Sequence, residues 1–118
     1  MKKFSEIEYV RPDMVAEQER IKEYTEALKG VRSYEELRGL FMEEKEREDI
    51  WATMAEVAQV RYTVDTRDSF YEGEVQFWNE TIPMMHLLIQ KAEKVILESP
   101  FIKQFAEEFG DFFVKNME

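Results

Sequence analysis

Apolar residues recur at helical spacing along almost the whole chain. Met14, Ile21, Tyr24, Leu28 and Val31 stand at steps of three, four and seven, which puts them on one face of a helix. Pro12 suits the first position of that helix and Gly30 suits its end, so the pattern predicts a helix over residues 12–29. Ser33 and Glu36 form an S-x-x-E capping box. A second helix of about 30 residues then follows the stripe Tyr34, Leu37, Phe41, Trp51, Ala55, Ala58 and Tyr62. Glu44 and Glu48 fall on that stripe where apolar residues are expected. A third helix begins near Arg67 or Asp68. It carries the stripe Tyr71, Val75, Trp78, Ile82, Met85, Ile89, Ala92 and Ile96, beside a second one of Phe70, Phe77, Met84, Leu88 and Val95. An apolar sector this wide implies packing on more than one side. Pro83 removes a backbone donor in mid-helix and predicts a kink near residue 80.

Ser99 and Pro100 predict a restart, with Ser99 as cap and Pro100 at the first position of a fourth helix. That helix carries Phe101, Ile102, Phe105 and Phe109 and stops at Gly110. Asp111 could cap a two-turn fifth helix, whose Phe112, Phe113, Val114 and Met117 are expected to remain unburied, as in part of something longer. Residues 1–10 predict an extended arm with Phe4, Ile7, Tyr9 and Val10 as anchors. No run alternates cleanly enough for a strand, and no repeat or linker divides the chain. The expectation is one all-α domain over residues 1–118: an antiparallel bundle of about four long helices with a short fifth helix at the C-terminus.

Composition narrows the function classes. The 118 residues suit one small domain, which buries roughly two thirds of the surface its unfolded chain exposes. With 44% hydrophobic and 36% charged residues, the chain is neither disordered nor membrane-embedded in composition. A net charge of −10 opposes binding to nucleic acid and to anionic membrane surfaces. It fits a solvated acidic face, or attraction of basic peptides. The absence of cysteine excludes disulfides, thiolate metal sites and cysteine nucleophiles. The start MKKFSEIEYVRPD lacks the apolar run of a secretory signal, and no stretch approaches the ~18 apolar residues of a membrane helix. A cytoplasmic location is expected.

The polar stretch RYTVDTRDSFYEGE, residues 61–74, interrupts the helical pattern. Asp65, Thr66 and Asp68 can accept from the free N–H groups of the third helix, while Arg61 and Thr63 can finish the second or pair with those carboxylates. No histidine is near, so a helix junction is favoured over an acid–base site. Glu44 and Glu48 raise the idea of a carboxylate metal site, but such sites need Glu-x-x-His motifs, and three residues before the sole histidine, His86, stands Pro83. Solvent exposure at a bend, pairing with a basic residue such as Arg47, or contact with a partner fits these glutamates better. His86 is followed by Leu87, not by the glutamate of HExxH, and reads as a satisfied, partly buried histidine. Ser5, Ser33, Ser69 and Ser99 read as caps and turns. No catalytic, cofactor-binding or metal residue is assigned.

From Val60, VRYTVDTRDSFYEGE resembles a signature of the oligoendopeptidase F group within the thimet oligopeptidase family of zinc peptidases. Arg61, Thr63, Asp65, Thr66, Asp68, Phe70, Tyr71 and Glu74 match it. Tyr62 stands where histidine is common, and Gly73 is unusual inside a helix. FSEIEYVRPD at the start, WATM from Trp51, and ESPF followed by FGDFF resemble other family segments in the same order, so the likeness covers nearly the whole chain. It implies the N-terminal helical region of an enzyme roughly four or five times this length, a multi-domain scale. That region would pack on a downstream catalytic domain and help wall a channel for short peptides. Zinc is implied for the full-length enzyme, held by an HExxH helix and a later glutamate, all downstream. None of those ligands falls on this chain, which is expected to be inactive alone and to self-associate through exposed apolar surface. The alternative is a stand-alone acidic helical interaction module.

Overall fold

The computed structural model describes residues 6–118; the expected anchor Phe4, and Ser5, lie outside the described residues. Five helices follow in order: α1 (Met14–Lys29), α2 (Tyr34–Val64), α3 (Ser69–Leu97), α4 (Ile102–Phe109) and α5 (Asp111–Met117), with no strand among the described residues. The all-α class is as expected. Three helices are long; α4 has only 8 residues because a turn at residues 98–101 and Gly110 frame it closely.

Local chemistry sets the helix ends. Pro12 precedes α1 and does not open it, because the Asp13 carboxylate takes the capping role, accepting from the Ala16 N–H at 3.1 Å. Ser33 Oγ accepts from Glu36 N at 3.2 Å, and the Glu36 carboxylate reaches back to Arg32 N at 2.9 Å. Ser99 and Pro100 form a turn rather than the first residues of α4. Ser99 Oγ accepts from Phe101 N at 3.1 Å, and the helix begins at Ile102. Gly110, at φ 95°, ends α4 and opens α5, a backbone conformation that a side chain would strain. Pro83 is exposed, and α3 continues past it to Leu97.

The core contacts fix the helix directions. Met14 and Ile21 meet Trp51, Ala58, Trp78 and Met85 in one apolar cluster. Leu28 meets Leu37, Phe41, Ala92 and Ile96 in another. Rising along α1 therefore means descending along α2 and rising along α3, so α1 and α3 run parallel and both oppose α2. The 31 residues of α2 give about 46 Å of helix, close to the 51 Å long axis of the molecule. Phe105 and Met117 close the Leu28 end, where Phe41 meets Phe105, Phe109 and Phe113 edge to face. The fifth helix is thus not left unburied. It folds back on α3, burying Met117 and packing Phe113 and Val114 on the core, and leaves Phe112 79% exposed. On the second stripe of α3, Phe77, Leu88 and Val95 are half-buried, whereas Phe70 and Met84 are exposed.

Candidate functional site

Polar side chains gather at two places that the fold brings together. The first is the junction between α2 and α3, with the N-terminal arm laid across it. Asp68 Oδ1 accepts from Phe70 N at 3.0 Å and Tyr71 N at 3.2 Å, capping α3 as expected. Asp65 accepts from Arg67 N at 3.0 Å, and Thr63 Oγ1 donates to Gln59 O within α2. Arg61 reaches further than the junction: it donates to the Ile7 carbonyl in the arm and to the Tyr71 hydroxyl at 2.7 Å. The cluster therefore joins three segments of chain.

The arm is held by a charge that its own sequence does not announce. Glu74, one turn before Trp78 on α3, is only 6% exposed. It accepts from the Tyr9 hydroxyl at 2.5 Å, from Arg11 Nε at 3.0 Å and from Arg11 Nη2. Trp78 Nε1 donates to the Tyr9 hydroxyl at 3.0 Å, and the Arg11 guanidinium lies 3.8 Å from the Phe77 ring centroid. The hydrogen bonds from Arg11 hold the Glu74 carboxyl below the usual carboxylate range. Burial, then the bond to Glu74, push the Tyr9 hydroxyl up to about 12. A carboxylate neutralised in this way positions an arm; it is no general base. His86 is exposed rather than partly buried, because it sits on the face of α3 turned away from the core.

The second place is a charged layer between the two apolar clusters. Phe41 and Trp51 belong to different clusters, and Glu44 and Glu48 stand between them on the same face of α2. Of the expectations for Glu44, solvent exposure is corrected, and pairing with a basic residue holds with Arg20 in place of Arg47. Glu44 is 3% exposed and paired with Arg20 of α1, which crosses at this level and also bonds Glu17 at 2.5 Å. Glu48 is half-buried. Burial, then a hydrogen bond to Glu44 and that residue's charge, raise its carboxyl to about 8. Burial likewise raises Tyr24 of α1 and Glu93 of α3. Among the described residues, no group of three or more His, Cys, Asp or Glu side chains is arranged to hold a metal ion. Between α1 and α3 lies an open groove of about 590 Å³, floored by Ile21, Leu88 and Val95 and edged by Lys22, Lys91 and Lys94. No helix among the described residues is long and apolar enough to cross a membrane.

Three comparisons set this arrangement among known proteins. The family described as peptidase M3 N-terminal domain matches residues 4–118. Among solved structures, a chain assigned as oligoendopeptidase F is similar at 28% identity and a TM-score of 0.90, over 97% of this chain and 20% of that one. PZ peptidase A, solved with an inhibitor, is similar at 27% identity and a TM-score of 0.89, over 95% and 20%. The present chain thus spans about a fifth of the length of either structure. No curated protein matches it.

Proposed function

The chain belongs to the peptidase M3 N-terminal domain family, and from that premise we propose that it serves as the N-terminal helical lobe of a cytoplasmic zinc-dependent oligoendopeptidase. In this reading the lobe packs on a downstream catalytic domain and helps wall the channel that admits short peptides. The observation that carries it is the family match over residues 4–118, with a fold likeness that spans nearly the whole chain. The residues present do not fit zinc: the sequence has one histidine and no cysteine, and that histidine is exposed. Zinc and the water it activates therefore belong to the catalytic domain in this proposal, and this chain contributes scaffold.

The arm lock and the charged layer suit such a role. They stiffen a 51 Å rod of helices so that it can present a fixed face to another domain. The experiment is to purify the 118-residue chain, the remaining polypeptide, and the two together. Hydrolysis of a quenched peptide and equimolar zinc by elemental analysis are expected only where the remaining polypeptide is present, with full turnover needing both. Turnover and tight zinc in the 118-residue chain alone would overturn the proposal. Full activity of the remainder without this chain would favour a separate interaction module.

A further inference from the structure

The charged layer holds more carboxyl groups than cations. Glu17, Glu44, Glu48 and Glu93 face Arg20 and Lys45 there. Arg20 donates from Nε to Glu17 and from Nη1 to one oxygen of Glu44, and its Nη2 is buried without an acceptor. The other oxygen, Glu44 Oε2, is buried and has no hydrogen-bond donor. An unpaired carboxylate oxygen in the interior is costly, and native structures rarely leave one. Glu48 stands one turn on from Glu44, on the same face of α2, where i and i+4 side chains meet.

Among the described residues, none of the groups that face Glu48 gives a hydrogen bond to Glu44 Oε2. From α1 come Arg20, whose remaining Nη2 is buried but makes no bond to that oxygen, and Tyr24, whose hydroxyl burial keeps protonated. From α2 comes Lys45, whose ammonium also sits 5.8 Å from the Phe113 ring of α5 and acts on Glu93. From α3 comes Glu93, another carboxyl, with His86 beyond it. We propose that the Glu48 carboxyl keeps its proton at neutral pH, with its O–H donating to the orphaned Oε2 of Glu44. A proton here satisfies the lone oxygen and removes one negative charge from the layer where α1 crosses α2. It makes the clamp between these helices depend on pH, and it requires nothing of the peptidase reading.

The sign follows from linkage. A carboxyl raised above its ordinary value contributes stability that is fully present below about 4.5 and is lost as pH rises through about 8. The test uses the 118-residue chain with ¹³C-labelled glutamate, following side-chain carboxyl shifts from pH 3 to 10. One assigned resonance, that of Glu48, is expected to titrate near pH 8. In Glu48→Gln, whose amide N–H can donate in place of the proton, the alkaline step should vanish. This variant should melt level with the parent at acid pH and about 5 °C or more above it at pH 9. Glu93→Gln should retain the alkaline step. A Glu48 resonance that titrates below pH 6 in the parent chain would overturn the proposal without any variant. So would an alkaline step that survives Glu48→Gln and disappears in Glu93→Gln, since the proton would then belong to α3.

Discussion

Removing Glu74 tests whether one buried carboxylate holds the arm to the bundle. In Glu74→Ala, the Tyr9 hydroxyl loses a 2.5 Å acceptor and Arg11 loses both of its hydrogen bonds to the carboxylate. Hydrogen bonds to charged groups each contribute about 1.5–3 kcal/mol, and breaking a buried pair costs about 3–5 kcal/mol. Two features lower that figure here. The Arg11 side chain is 46% exposed and can return to water, and Trp78 Nε1 can still donate to the Tyr9 hydroxyl. The expected loss is therefore about 2 kcal/mol at pH 7, or about 8 °C in melting temperature for a domain of this size. Urea unfolding followed by circular dichroism measures it. Amide exchange should quicken in residues 7–11 before it changes in α2.

The pH dependence gives a second handle on the same substitution. Arg11 holds the Glu74 carboxyl below its usual range, so its contribution is present above about 4.5 and fades as the pH falls through the lowered value. The gap between parent and variant should close in acid. A gap below about 0.5 kcal/mol at pH 7, the level of ordinary surface substitutions, would refute the reasoning. So would a gap that stays constant down to pH 2.

Phe105→Ala removes a fully buried ring at the end of the bundle closed by α4 and α5, and should cost about 3–5 kcal/mol in denaturant unfolding. Asp68→Ala removes the cap of α3 and should cost about 1 kcal/mol by the same measurement, with fraying of residues 69–72 in amide exchange. Phe112 of α5 is 79% exposed, and Phe70, Met84 and Leu87 are exposed along α3. The isolated chain should self-associate in sedimentation over a concentration series and bind a hydrophobic dye. Phe112→Ser should weaken both without lowering the melting temperature. A strictly monomeric parent chain without dye binding would contradict that expectation.

Helix existence, order and most boundaries were legible before any coordinates, because they rest on local rules. Apolar spacing marked α1, α2 and α3, and the side chains of Ser33 and Asp68 act where their sequence positions predict. The all-α class and the family likeness follow from the same string of residues. Pro12 and Pro100 misled by a residue or two because a neighbouring carboxylate or hydroxyl, not the proline, satisfied the free N–H groups. What the linear pattern could not decide was which charged residues become interior. Glu44 interrupts the apolar stripe of α2, a signal that marks it as unusual but names no partner, and Glu74 matches a family signature with no sign that it is buried. Their partners lie 24 and 63 residues away, in Arg20 and Arg11, and only the packing of α1 and the arm against α2 and α3 brings them within reach. The fate of α5 was hidden for the same reason. A two-turn helix has no stability of its own in water, so Phe113 and Met117 become core only because Gly110 turns the chain back onto α3. Periodicity is a property of neighbours in sequence; burial and charge pairing are properties of neighbours in space.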